Sequence, residues 1–176
     1  MAMKLTELAR KTIESSFNDE GFVVDKDTKL KFKDKKASFV TLTKNKNLRG
    51  CIGSLEQRKE LWKDVQENAI NAAFHDPRFM PLKKEELKAV KIEVSVLTKP
   101  KKIELKDKEL LLDKIDKNMG LILKKGYQSS TFLPQVWEEI PDKEVFLKEL
   151  SLKAGLDEKG WKNSEIWYYR VEAEGE

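Results

Sequence analysis

Between Val90 and Leu97 the chain alternates, with apolar Val90, Ile92, Val94 and Val96 set against Lys91, Glu93 and Ser95. A period of two points successive side chains to opposite faces, so this stretch predicts a β-strand with one covered and one wetted face. Such a strand needs sheet neighbours and an apolar layer over its covered side. Ala37 to Thr43 alternates in the same way, Lys44-Asn45-Lys46-Asn47 is turn-rich, and Leu48 to Leu55 returns. Together these predict a hairpin with a loop of about four or five residues.

Helices for the covering layer are legible as apolar stripes. Leu5, Leu8, Ala9, Thr12, Ile13 and Phe17 recur at helical spacing. From Glu60 to Phe74, Leu61, Val65, Asn68 or Ala69, Ala72 and Ala73 share one stripe, and its alanines permit close approach. A third helix is predicted from Asp142 to Ala154, with Phe146, Leu147, Leu150 and Ala154 inward and Gly155 at its C-cap. Elsewhere the pattern predicts an extended piece at Lys29 to Phe32 and a short helix from Glu109 to Ile115. Strands are predicted at Gly120 to Lys124, at Ser129 to Leu133 after a Lys125-Gly126 turn, and at Glu165 to Glu172. Without strict βαβ regularity, the order predicts an α+β fold, an antiparallel or mixed sheet packed by helices. Residues 1–176 read as one domain, in which Lys99-Pro100-Lys101-Lys102 marks the best boundary for a small lobe around residues 100–130.

Charged residues make up 38% of the chain, mostly interleaved Lys and Glu, yet the net charge is only +4. The lysine clusters at Lys29 to Lys36 and Lys99 to Lys108 are broken by acids, which reads as solvated faces and argues against a nucleic-acid partner. There is no secretory h-region and no apolar run of membrane-spanning length, so a cytoplasmic location with no membrane partner is expected. One cysteine and one histidine cannot fill a structural zinc site, and no EF-hand, Walker A, GxGxxG, GxSxG or HExxH pattern occurs, so no metal and no cofactor is expected.

The stretch Leu48-Arg49-Gly50-Cys51-Ile52-Gly53-Ser54-Leu55 concentrates the chemistry. Strand alternation would set Arg49, Cys51 and Gly53 on one side, a guanidinium and a thiol one pleat apart. Glycines inside a strand suggest a bulge or a close approach of another backbone or a ligand at Gly50 and Gly53. A free cysteine is also among the most buried residue types, so a packing role for Cys51 stands beside a reactive one. Phe74-His75-Asp76-Pro77-Arg78-Phe79-Met80-Pro81 is a proline-stiffened connector, where Asp76 and Arg78 form either a local ion pair or part of a site.

Leu48 to Gly53, Ala72-Ala73-Phe74 with Asp76-Pro77-Arg78-Phe79, Ile92 to Thr98, Thr131-Phe132-Leu133-Pro134-Gln135-Val136-Trp137 and Lys153-Ala154-Gly155-Leu156 together resemble the AMMECR-type domain family, whose microbial members are labelled AmmeMemoRadiSam system protein A. The resemblance implies a larger and a smaller lobe, with the Arg-Gly-Cys-Ile-Gly segment near a groove between them. It implies association with Memo-type and radical-SAM proteins, and it supplies no established reaction. No CxxxCxxC cluster motif is present, so this chain is not the radical-SAM partner. Within that resemblance, Ser151 stands where many relatives carry a cysteine, against a two-cysteine redox mechanism, and His75 fills a position the family pattern leaves open.

Two readings follow. In one the protein is a ligand- or partner-binding component of a modification pathway, in which Arg49 and Arg78 anchor a small anionic ligand or a partner, and Gly50, Gly53, Ser54, His75 and Asp76 line the groove. In the other Cys51 is a nucleophile or covalent anchor, with Arg49 lowering its pKa, His75 taking its proton and the amides from Gly50 to Ser54 meeting an oxyanion. The aromatics Phe132, Trp137, Trp161, Trp167, Tyr168 and Tyr169 pack a core or line a pocket. Gln135, Glu138 and Glu139 have no assignable place.

Overall fold

A computed structural model describes all 176 residues. The chain forms helix α1 (Leu5–Ser15), α2 (Lys26–Lys31), the hairpin β1 (Ala37–Lys44) and β2 (Asn47–Gly53), α3 (Leu61–Phe74) and β3 (Val90–Leu97). It continues through β4 (Lys101–Lys102), α4 (Leu111–Lys114), β5 (Gly120–Lys125), β6 (Gln128–Phe132), α5 (Val136–Glu139), α6 (Lys143–Lys153), β7 (Glu165–Tyr169) and β8 (Val171–Gly175). The class is α+β as expected, with two antiparallel four-stranded sheets, ordered β2-β1-β3-β8 and β4-β7-β5-β6. Two compact units result, Met1–Leu97 with Glu172–Glu176, and Thr98–Val171.

In the first unit, Val40, Leu42, Ile92 and Val94 point from the sheet into a core closed by Leu8, Ala9 and Ile13 of α1 and by Val65, Ala69, Ala72 and Ala73 of α3. The opposite sheet face carries Phe39, Thr41 and Thr43 beside Ser95, Glu93 and Lys91. The chain end secures this unit. Arg10 pairs with the Glu176 side chain, which also accepts the Ile92 amide at 3.0 Å.

In the second unit, Leu121, Leu123 and Ile166 meet Trp137, Phe146, Leu147 and Leu150. Trp137 stacks on Phe146 with centroids 3.6 Å apart, and its indole N–H donates to the Met119 carbonyl. Trp137, Trp161 and Tyr169 are buried, Phe132 and Tyr168 pack against the core, and Trp167 is half-buried with Lys124 over its ring. Ser151 is also a core residue, donating to the Leu147 carbonyl and accepting the Trp161 amide. α6 starts on the Asp142 cap and stops before Gly155, whose φ of +81° favours glycine.

Three local expectations are corrected. Lys29 to Phe32 is not extended; it lies in and just after α2, because Asp25 caps the helix by accepting the Thr28 amide and hydroxyl. The hairpin loop is shorter than expected. Lys44 pairs with Asn47, and Asn45 and Lys46 turn between them with φ of 53° and 66°, the left-handed pair whose twist matches the strands. The predicted strand at Glu165 to Glu172 divides at Arg170, β7 joining one sheet and β8 the other. At the division Arg170 and Thr98 bond reciprocally, Arg170 N–H to Thr98 Oγ1 and Thr98 N–H to the Arg170 carbonyl.

Candidate functional site

Cys51 sits on the outer face of β2, opposite Thr41, and its sulfur lies 3.2 Å from Thr41 Oγ1. Two glycines frame it for different steric reasons. A Cβ on Gly50 would stand 2.2 Å from the Ala72 carbonyl oxygen, because the α3 backbone lies directly on the strand there. A Cβ on Gly53 would stand 2.2 Å from the ring of Phe39, which covers that position from β1. Close approach of a backbone, one of the two sequence alternatives, therefore accounts for Gly50, and an aromatic covers Gly53.

The other alternative also occurs, one residue earlier. Leu42 pairs with Gly50 and Thr43 with Leu48, so Arg49 is an extra residue without a partner across the ladder. Such a bulge re-aims the side chain it carries and breaks simple alternation. Arg49 is turned onto Glu86, with Nε to Oε1 and Nη2 to Oε2 both 3.0 Å, and Nη2 also donates to the Met80 carbonyl. Its side chain keeps 14% exposure, and Nη1 is buried without a partner. Arg49 thus braces the connector after α3 instead of standing beside Cys51 as an open cation.

Asp76 and Arg78 act on Cys51 through its backbone. β2 is an edge strand, and at Cys51 its amide and carbonyl point away from β1. Asp76 Oδ2 accepts the Cys51 N–H at 2.9 Å, and Arg78 Nη2 donates to the Cys51 carbonyl at 3.2 Å. The two side chains are joined by Arg78 Nε and Nη2 on the Asp76 carboxylate at 3.0 and 2.8 Å. They replace a missing neighbouring strand at one residue. Asp76 is 4% exposed, and Arg78 chiefly, with the Cys51 amide, holds its carboxyl well below the usual range against the opposing effect of burial. Arg49 and Arg78 both approach the Phe79 ring, at 5.9 and 5.5 Å from its centroid.

His75 is exposed at the end of α3, and the sulfur's polar neighbour is Thr41, not an imidazole. Ser54 faces the other way and donates to Asp64 of α3. Gln135, Glu138 and Glu139 belong to the second unit, the first two lining an open cleft there with Pro134 and Pro141. Sequence reasoning missed Glu86, which looks like one more charge in Lys83-Lys84-Glu85-Glu86, and it missed Asp64. Only its position on the buried side of a helix, four residues before Asn68, marks Asp64 out.

The Arg49 fork first, then the Lys83 amide and Lys44, lower the Glu86 carboxyl to about 2, with burial opposing. A folded pKa below the unfolded value of ~4.3 contributes stability that is complete above the unfolded value and is lost as pH falls through the folded one. Glu86→Gln is therefore expected to cost about 2–3 kcal/mol at pH 7 and progressively less between about pH 4.3 and pH 2. Urea denaturation of both proteins across that range measures it, and an equal cost at every pH would remove the ion pair from the explanation.

Against known proteins, the AMMECR1 family model matches residues 6–175. Protein NEQ441 of Nanoarchaeum equitans is 38% identical over 175 residues, covering 98% of this chain and 97% of its own. Protein MK0488 of Methanopyrus kandleri is also 38% identical, over 97% of this chain and 84% of its own. The crystal structure of the uncharacterized protein PH0010 from Pyrococcus horikoshii superposes with a TM-score of 0.82 at 37% identity, covering 98% of this chain and 89% of that one. No helix here is long and apolar enough to cross a membrane.

Proposed function

The chain belongs to the AMMECR1 family, and from that membership we propose that it is a cytoplasmic binding component of a modification pathway, capturing an anionic group at Arg78 beside Cys51. The observation that carries this reading is the state of Arg78. Its Nε and Nη2 are committed to Asp76 and the Cys51 carbonyl, yet the side chain is 54% exposed and Nη1 has no partner within the chain. A guanidinium pinned on one edge loses little freedom when an incoming carboxylate or phosphate takes the other. Arg49 is here a positioning residue for the connector. Memo-type and radical-SAM proteins are the partners to try, with an acidic segment as the feature recognised.

Arg78→Gln should lower co-purification of a co-expressed Memo-type or radical-SAM protein at least about tenfold, the scale of one lost charge-assisted contact. Cys51→Ala should leave it unchanged. Undiminished capture by the Arg78 variant would sink the reading. The second reading, with Cys51 as nucleophile, is favoured by a half-buried free thiol on the residue whose carbonyl Arg78 holds. Alkylation of this single thiol as a function of pH separates the two. Rapid reaction with an apparent pKa a unit or more below ~8.5 would support the enzyme, and silence until denaturant is added would exclude it.

A further inference from the structure

A second polar site lies in the same unit, between α3 and the end of β2. Asp64 is 6% exposed and has no cation beside it; the nearby cations are committed elsewhere, Arg58 to Glu56, Lys59 to Glu67 and Lys63 to Glu60. A buried carboxylate without a counter-charge is costly unless hydrogen bonds replace its water. Oδ2 has that replacement. It accepts from the Ser38 amide at 2.9 Å, Ser38 Oγ at 2.6 Å, Ser54 Oγ at 2.9 Å and Asn68 Nδ2 at 3.0 Å.

Oδ1 is treated differently. Its one contact is the same Ser54 hydroxyl, at 2.8 Å, whose single proton is shared with Oδ2. Asn68, 5% exposed, turns its Nδ2 inward to Ser38 and Asp64, while its Oδ1 makes no hydrogen bond within the chain. Asp64 and Asn68 line an open cavity of about 390 Å³ with Ser54, Leu55 and two ion pairs on its wall, Arg58 with Glu56 and Lys59 with Glu67. Every strong donor of the network points into the protein, so the floor of the cavity offers acceptors to whatever enters.

We propose that this cavity binds a primary ammonium group, with Asp64 Oδ1 and Asn68 Oδ1 accepting two of its N–H bonds and Leu55 covering the adjoining methylenes. An ammonium matches the all-acceptor floor, where a carboxylate or phosphate would meet lone pairs, and the cations on the wall, Arg58 and Lys59, are already paired with Glu56 and Glu67. The occupant is a small aliphatic amine or a lysine-like side chain.

The test is titration of the ¹⁵N-labelled full chain with butylamine, followed by amide shifts, with butan-1-ol and potassium chloride as controls. Saturable shifts at Ser54, Asp64 and Asn68 with a dissociation constant on the order of 1 mM are expected for butylamine alone. Asp64→Asn should weaken it at least about tenfold, a loss typical of one charge-assisted bond. Asp64 also ties α3 to β1, so Leu55→Trp, which fills the mouth without touching the network, is the second variant and should abolish the shifts. The proposal is overturned by no saturable shift in the wild-type chain, by equal shifts with butanol or potassium, or by unchanged binding in Leu55→Trp.

Discussion

Gly50→Ala is expected to lower the stability of the first unit by about 3 kcal/mol or more, a loss of roughly 6–12 °C in melting temperature. The added methyl would lie 2.2 Å from the Ala72 carbonyl oxygen and 3.1 Å from its carbon. Both atoms are backbone, so no rotamer change relieves the clash. Either α3 retreats by about 1 Å, opening gaps around Ala69, Ala72 and Ala73, or β2 bends away from β1. Shrinking the neighbour with Ala72→Gly should give no rescue, since the obstacle is the carbonyl. Gly21→Ala provides the comparison: nothing lies within 4 Å of a Cβ there, and its effect should stay within about 0.5 kcal/mol. Thermal melts of the three variants decide the point, and a Gly50→Ala protein that melts with the wild type would mean that α3 does not rest on the strand.

The alternating strand and the apolar helix stripes were legible because period two and period 3.6 are imposed by the backbone, and a buried face repeats them. What lay outside that logic came from single residues. Nothing in Lys44-Asn45-Lys46-Asn47 says which two residues take the left-handed region, since Asn and Lys each stand twice; the structure uses Asn45 and Lys46 and so shortens the loop. The bulge at Arg49 depends on pairing with a strand read separately. Its consequence is large, because one inserted residue turns the guanidinium from Cys51 toward Glu86. Glu86 was hidden for a related reason. A charge run in sequence looks solvated until the fold brings one member against a buried cation.

The edge latch at Cys51 carries the other large expectation. Asp76→Ala should destabilise the protein by about 3 kcal/mol, at the low end for breaking a buried ion pair because Arg78 remains 54% exposed and rehydrates. The loss has three parts, the first being the Arg78 amide, which donates to Asp76 Oδ1 at 3.1 Å. Arg78 is left without its carboxylate, and the Cys51 amide, which points away from β1, is left without an acceptor. Asp76→Asn keeps one acceptor oxygen but sets an amide N–H₂ in place of the other, so it should fall between the alanine variant and the wild type. Because the folded carboxyl titrates well below the unfolded value of ~3.9, the contribution is complete above that value and is lost as pH falls below it. Hydrogen exchange at the Cys51 amide and the alkylation rate of its thiol distinguish local from global loss. In the alanine variant both should rise more than the overall unfolding equilibrium does, because the edge frays before the sheet does. If Asp76→Ala keeps wild-type stability and exchange, Arg78 is not held in place by the pair, and the proposed anion site loses the preorganisation on which it depends.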